Sequence, residues 1–246
     1  MSGVRGRAAW TRGARRRREA LWALLFLAPS LAGFLVFTLG PVGASLGLSA
    51  TRWDLFGRPE FVGLDNYRAA LADPILGRVM RNTVTYSAGT VPLLVIVSLA
   101  LAMALNQPIR GRTLFRVILF MPVVSSTVAV AMVWRWIYAP FGALNALLVS
   151  VGLPVVGWLT TTTWAMPAVI LMSVWQSVGY SMVIFLAGLQ GIPQHLYDAA
   201  AVDGASPWQR FWRITLPLLS PTTFFIVVMA IISTFQVFGQ VYMLTG

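Results

Sequence analysis

The chain has 246 residues, of which 58% are hydrophobic and only 10% are charged. In soluble globular domains about a quarter of the residues are charged. The composition therefore excludes a soluble globular domain and places the chain among membrane proteins. The formal net charge is +11, and all 18 basic residues are arginines.

The residue types that the sequence lacks exclude most enzyme classes. Without lysine, the chain has neither a Walker A phosphate-binding loop nor a Schiff-base lysine. Without cysteine, it has no thiolate nucleophile, disulfide or zinc–thiolate site. Its single histidine, His195, leaves no histidine cluster for a metal. The sequence therefore predicts no catalytic residue, no bound cofactor and no metal site.

Residues 1–20 are predicted to form a basic cytoplasmic tail. Seven arginines lie in the first eighteen residues, directly before an apolar segment, as the positive-inside rule expects of a cytoplasmic anchor. A nucleic-acid-binding protein would spread its basic groups over a folded face, so we expect no nucleic-acid partner. The apolar segment within residues 21–50 is too long for a signal peptide and is interpreted as a retained first transmembrane helix.

Five uncharged segments are long enough to cross a bilayer as helices, which takes about 20 residues. They are Leu21–Ser49, Thr83–Leu105, Val117–Trp134, Trp164–Gln190 and Leu218–Leu244. The predicted fold class is therefore an all-α integral membrane protein. Its external loop is expected at 51–82 and its core transmembrane domain at 83–246.

Pro140–Thr163 is also uncharged, but we do not expect it to cross the membrane. Three glycines and Pro154 interrupt it, and four threonines end it. Counting it as a span would also place the arginines of Gly191–Arg213 outside. We therefore predict an external loop with a short interfacial helix near Leu144–Val151.

The arginines then set the orientation. Seven lie in the tail, three in Asn106–Arg116 and two in Gly191–Arg213, which gives 12 inside against six outside. The bias predicts a cytoplasmic N-terminus.

All seven acidic residues lie outside the predicted spans. Transporters driven by protons or sodium usually hold a carboxylate at mid-membrane, where it binds the coupling ion. An acid–base enzyme within the membrane would need similar groups. Transport by this chain would therefore draw its energy from another protein.

The internal loop 191–217 is predicted to form two short helices around a glycine. Leu196–Val202 is rich in alanine and favours a helix. Gly204 is suited to the positive φ of a helix stop. Ser206 can cap a second helix with Pro207 at its first position. On these grounds alone, an ordinary amphipathic connector remains an alternative to a docking surface.

The spacing in this loop resembles the EAA motif of ABC importer permeases. In that motif Glu-Ala-Ala is followed after three residues by Gly, and after nine more by Ile-x-Leu-Pro. Here Asp198-Ala-Ala, Gly204 and Ile214-Thr-Leu-Pro fall at those positions, with Asp in place of Glu. Further segments resemble the sugar-importer branch, which includes the maltose and glycerol-3-phosphate permeases: Phe61–Tyr67, Trp134–Tyr138, Gly188–Pro193, Asp203–Ser206 and Phe235–Phe238.

The resemblance implies a type I ABC importer fold and a permease subunit in a bacterial cytoplasmic (inner) membrane. Its implied partners are a second permease subunit in a heterodimer, two ABC ATPase subunits, an extracytoplasmic solute-binding protein and membrane lipid. The implied solute is a sugar or a sugar-like molecule. The resemblance places ATPase docking on these loop residues: Tyr197, Asp198, Ala199, Ala200, Asp203, Gly204 and Ala205.

Uncharged polar residues in the last two predicted spans are candidates for the solute path, because such groups suit sugar hydroxyls. These candidates are Gln176, Ser177, Tyr180, Gln236 and Gln240. The alternative is that they only join helices, since polar side chains also hydrogen-bond between transmembrane helices. At the level of function, a membrane scaffold or a channel subunit remains the alternative to a permease.

The sequence also leads us to expect a sixth span after Gly246. Five spans that start inside leave the C-terminus outside, directly after an apolar segment. The ending Val241–Gly246 resembles the point where the sugar permeases approach a Gly-Gly-Pro turn and their last span. A subunit with five spans is the alternative.

Overall fold

Helices make up nearly all of the regular structure, as the apolar segments predict. The computed structural model describes the backbone of residues 5–245 and the side chains of residues 15–245. The α-helices of that part are α1 Arg5–Phe34, α2 Gly40–Leu48, α3 Asp65–Ala72, α4 Pro74–Asn106, α5 Arg112–Val124, α6 Thr127–Ile137, α7 Ala143–Ser150, α8 Thr162–Gln190, α9 Gln194–Val202, α10 Pro207–Arg210, α11 Leu216–Leu218, α12 Ser220–Phe235 and α13 Gly239–Thr245. Two π-helical turns, Leu35–Leu39 and Phe211–Thr215, and two short strands, β1 Thr51–Arg52 and β2 Glu60–Phe61, complete the assignment.

The chain divides into two units, Met1–Gly77 and Arg78–Gly246. In the first unit, α1, a π-turn and α2 follow one another without a break. Their segment Arg15–Leu48 is long and apolar enough to cross a membrane. No residue in the most apolar 18-residue stretch of this segment is buried. The helix thus begins within the predicted tail, earlier than the predicted first span.

The segment predicted as an external loop is largely folded. Strand β1 pairs with β2 in antiparallel register, and Asn66 Nδ2 donates hydrogen bonds of 2.9 Å to the carbonyl oxygens of Ser49 and Thr51. Helix α4 begins at Pro74, before the predicted start at Thr83. Proline suits the first turn of a helix, because the N–H that it lacks would have no partner there. The segment predicted as an external loop therefore contains a strand pair, α3 and the first turns of α4.

The turn between the two strands is held by Asp54. Its carboxylate accepts hydrogen bonds from the backbone N–H groups of Gly57 at 2.7 Å and of Phe56 at 3.1 Å. These bonds favour the ionised carboxylate and lower the pKa of Asp54 below its usual value. The turn presents Phe56, whose side chain is 97% exposed.

Helix α8 lies at the centre of the second unit. Its side chains Met172, Met182 and Phe185 are fully buried, and α5, α6, α12 and α13 all pack against it. Tyr86 and Tyr138 join Met172 in an apolar cluster, while Phe185 belongs to a second cluster nearer the end of α8 at Gln190.

Three helical segments are long and apolar enough to cross a membrane: Arg15–Leu48, Pro74–Asn106 and Thr162–Gln190. Two bent helix pairs raise the number to as many as five if each pair is one span. Three predicted spans, Leu21–Ser49, Thr83–Leu105 and Trp164–Gln190, therefore correspond to single long helices, and the predicted number of five is reached only if each bent pair is one span. The sixth span would follow Gly246 and lies outside the described residues.

The predicted third span, Val117–Trp134, is not a single helix. Helices α5 and α6 meet at an angle of 102°. Pro122 has no N–H for the helical ladder, and Ser125 and Ser126 adopt extended ψ angles of 145° and 131°. The hydroxyl of Ser125 donates to the carbonyl oxygen of Met121 at 3.0 Å and satisfies one acceptor that the break leaves free.

The predicted fifth span is also interrupted. Helix α12 ends at Phe235, and α13 begins only at Gly239. The intervening residues place α13 against α6 and α8. Gln236 and Gln240, which a continuous helix would put about one turn apart, are separated by this break.

The uncharged segment 140–163 contains one short helix, as predicted. Helix α7 covers Ala143–Ser150, and Asn145 within it is 1% exposed. Asn145 Nδ2 donates to the carbonyl oxygens of Ala139 at 3.2 Å and Val156 at 3.0 Å. Its Oδ1 accepts from the N–H of Val156 at 3.0 Å and from Nε1 of Trp158 at 3.1 Å. One side chain therefore ties both flanks of α7 together.

Candidate functional site

The loop 191–217 folds as the sequence predicts. Helix α9 covers Gln194–Val202, and Gly204 takes a φ of +75°. Ser206 forms a capping box with Gln209: its Oγ accepts from Gln209 N–H at 3.3 Å, and its own N–H donates to Gln209 Oε1 at 2.8 Å. A positive φ costs glycine little, so Gly204 allows the chain to turn sharply between the two helices.

Four of the seven predicted docking residues meet in one groove. The groove has a volume of about 360 Å³ and lies between α9 and the helical segment that starts at Pro207. Its lining residues are Ala200, Asp203, Gly204, Ala205, Gln209, Arg210, Arg213 and Ile214. The small side chains at its centre leave the backbone accessible to the surface of another protein.

The other three predicted docking residues lie elsewhere on the loop. Tyr197 faces away from the groove, and its hydroxyl is 3.0 Å from Thr215 Oγ1. Tyr197 is therefore placed to fix the angle between α9 and the next helix. Asp198 and Ala199 are exposed, and Asp198 Oδ1 accepts a bond from Gln194 Nε2 at 3.2 Å.

Sequence reasoning missed the apolar and basic groups around this groove. Val202 is 89% exposed and Trp208 is 68% exposed. Arg210 and Arg213 line the groove itself. The signal that could have found Val202 and Trp208 is their apolar character in an otherwise polar loop, because exposed apolar side chains grouped together mark contact surfaces.

A second feature is a cavity of about 390 Å³ among α4, α5, α8, α12 and α13. Most of its lining is apolar, and we call it the polar cavity for the hydroxyl and amide side chains that lie among the apolar ones. It brings together four of the five predicted solute-path residues: Gln176, Ser177, Tyr180 and Gln240. The fifth, Gln236, is exposed and does not line it, because the break after Phe235 turns it away. Lining residues that the sequence analysis did not select include Tyr86, Thr90, Ser173, Ser181, Ser233 and Thr234.

Hydrogen bonds join two of these residues across helices. Gln240 Nε2 donates to Gln176 Oε1 at 3.0 Å, and Gln176 Nε2 reaches Thr127 Oγ1 at 3.5 Å. The helix-joining role therefore applies to Gln176 and Gln240 even though both line the cavity. Thr90 also lines the cavity, but its hydroxyl is buried and has little surface open to a solute.

The cavity lining has no charged side chain among the described residues. Hydroxyls, amides and a half-exposed tyrosine, Tyr180, face the space instead. Such a lining can hydrogen-bond an uncharged, hydroxyl-rich molecule without burying an unpaired charge, which is costly.

Comparison with known proteins places these features in a family. A family model described as the binding-protein-dependent transport system inner membrane component matches residues 71–246. The probable ABC transporter permease protein YesP of Bacillus subtilis (strain 168) is 42% identical over 93% of this chain and 75% of its own length. The lactose transport system permease protein LacF of Rhizobium radiobacter is 36% identical over 90% of this chain and 75% of its own.

A solved structure is similar as well. It is a bacterial alginate ABC transporter in complex with an alginate pentasaccharide-bound periplasmic protein. One of its chains matches this one with a TM-score of 0.73 and 28% sequence identity, over 87% of this chain and 72% of that chain.

Proposed function

The chain belongs to the family of binding-protein-dependent transport system inner membrane components, and from that premise we propose which of its surfaces dock the ATPase and which pass the solute. As a family member it is a multi-pass permease subunit of an ABC importer in the inner membrane. It is not itself catalytic and works with a second permease subunit, separate ATPase subunits and a solute-binding protein.

The groove at Gly204 is the proposed ATPase-docking surface. One observation supports this proposal. Ala200, Gly204 and Ala205 line a groove between two short helices, and these residues lie within the segment whose spacing resembles the EAA motif. Small side chains allow close approach of a partner, and the exposed Trp208 and Val202 beside them offer apolar area for it. Asp203 and Arg213 in the same groove supply charges that can orient the contact.

This docking surface requires the loop 191–217 to lie in the cytoplasm. The arginine distribution supports that orientation, with 12 on the proposed cytoplasmic side and six on the other. Helix α1 then begins in the cytoplasm, and the hairpin of β1 and β2 faces the binding protein outside.

The polar cavity is the proposed solute path, and the proposed solute is a carbohydrate. Its lining of hydroxyls and amides without charged groups suits sugar hydroxyls. The lactose permease among the similar proteins is named for an uncharged sugar, which supports the same class. Ser177 and Tyr180, which line the cavity and are not buried, are the proposed solute contacts, while Gln176 and Gln240 act by holding α13 beside α8.

Replacing Ala200 with arginine tests the docking surface. A long charged side chain would fill the groove, so we expect Ala200→Arg to abolish co-purification of the ATPase subunits and ATP-driven uptake, while the protein still inserts in the membrane. The matched control is Ala72→Arg, the same change at an exposed position of α3, which should behave as wild type. Wild-type association and uptake in Ala200→Arg would refute the assignment.

A further inference from the structure

Four consecutive arginines of α1, Arg15 to Arg18, lie just before its apolar segment. We refer to them as the arginine collar. Successive residues of an α-helix are about 100° apart, so four in a row cover the whole circumference of the helix. All four are exposed, and the helix continues without a break from the collar to Leu48.

The collar keeps most of its charge. Glu19 Oε1 accepts a hydrogen bond of 3.0 Å from Arg15 Nε, and this is the one carboxylate paired with the collar among the described side chains. That pair is 83% and 64% exposed, so it is weak and screened by water. The other three guanidinium groups have no carboxylate partner among the side chains of residues 15–245.

The position of the collar along the helix places it at a membrane surface. From Arg18 to Leu48 a helix rises about 45 Å at 1.5 Å per residue, close to the thickness of a bilayer with its headgroups, about 40–45 Å. The collar thus lies within about one helical turn of the level where the apolar segment enters the hydrocarbon. Trp22, whose ring centroid is 6.3 Å from that of Phe26, follows the collar on the helix, and tryptophan is typical of that interface.

We propose that the arginine collar binds the phosphates of anionic phospholipids that surround α1. The guanidinium group pairs with phosphate oxygens through two parallel hydrogen bonds, and clusters of basic residues beside a transmembrane helix attract anionic lipid. A protein partner would contact one side of the helix and leave the others bare. A layer of lipid headgroups reaches all sides, which is the distribution that the four arginines have.

The absence of cysteine from the chain allows a direct measurement. In a complex whose other subunits are cysteine-free, Ala20→Cys carries a fluorophore beside the collar. Nanodiscs contain phosphatidylglycerol and phosphatidylcholine at equal mole fractions, and a nitroxide quencher is attached to one of the two lipids at a time. We expect association with phosphatidylglycerol to be about tenfold stronger than with phosphatidylcholine, and to weaken as salt is raised.

When glutamine replaces the four collar arginines, association with phosphatidylglycerol should be at most about twofold stronger than association with phosphatidylcholine. Replacing the same arginines with lysine should leave a preference between those of the wild type and the glutamine variant, because the charge remains but the paired guanidinium hydrogen bonds are lost. The control for loss of charge elsewhere is the double variant Arg52→Gln with Arg58→Gln in the hairpin. Its lipid preference should equal that of the wild type. Arg5, Arg7 and Arg12 stay in every variant and preserve the charge bias of the tail.

Two results would overturn the proposal. One is an equal lipid preference in the wild type and the glutamine variant. The other is a glutamine variant that keeps its lipid preference but loses ATPase subunits in phosphatidylcholine nanodiscs, which would make the collar a protein-docking surface. The readout is lipid association, so it is independent of the docking and solute-path assignments.

Discussion

Asn145 shows how one side chain can organise an irregular segment. It satisfies two backbone carbonyls, one backbone N–H and one indole N–H, and it is almost completely buried. Buried polar groups that lose their partner cost about 1–3 kcal/mol each. The fold of residues 140–161 therefore depends on this residue more than on the helix propensity of α7.

We predict that Asn145→Ala lowers the stability of the protein by about 2–4 kcal/mol, because several buried groups lose their partners together. Limited proteolysis of the purified complex would show new cleavage between Pro140 and Thr161. Ser150→Ala, which removes an exposed hydroxyl on the same helix, is the control. A protease-resistant Asn145→Ala variant of unchanged thermal stability would contradict this account.

The role of Asn145 could not be predicted from the sequence. Its partners lie six to thirteen residues away and are mostly backbone atoms, whose positions only the folded segment fixes. By contrast, Gly204 and Ser206 were predicted, because a helix stop and a helix cap depend on residues within one turn of each other.

At the scale of the elements, α5 and α8 form the most extensive helix contact of the second unit. Gly179 makes it possible. A Cβ at this position would collide with the backbone of α5 at Leu119 and Phe120. Small residues at a helix crossing allow two backbones to approach closely and gain van der Waals contact.

We predict that Gly179→Ala destabilises the protein by about 1–3 kcal/mol, the usual cost of overpacking. The denaturation midpoint of the purified subunit pair in detergent should fall accordingly. Gly77→Ala is the matched control: a Cβ at Gly77 has open space around it, and alanine favours the helix by about 1 kcal/mol. Equal midpoints for the two variants would show that the close approach is not required.

Composition predicted where the apolar segments lie but not how they bend. Hydropathy reports the length of a segment, and Val117–Trp134 carries no charged residue, so it was predicted as one membrane-spanning helix. The bend at Ser125 and Ser126 depends on backbone angles that packing against α8 selects. For the same reason, the sequence analysis did not predict the break after Phe235. Because of this break, Gln236 does not line the cavity.

At the scale of the whole molecule, the positions of the charged residues indicate that a partner subunit supplies the energy for transport. None of the seven carboxylates lies in a predicted span, and the lining of the polar cavity has no charged side chain among the described residues. The chain thus presents no group there to bind a coupling proton or sodium ion. Under the proposed function, energy enters through the loop 191–217, the surface proposed to contact the ATPase.

The central claim is that ATP hydrolysed by a partner drives solute through this subunit. Liposomes would contain the two permease subunits with or without the ATPases, and the solute that co-purifies with the cognate binding protein would be the transported probe. We expect uptake only when the ATPases, ATP and the binding protein are all present, and no uptake by the permease pair alone under a proton gradient. Accumulation of the solute by liposomes that lack the ATPases but hold a proton gradient would contradict the account.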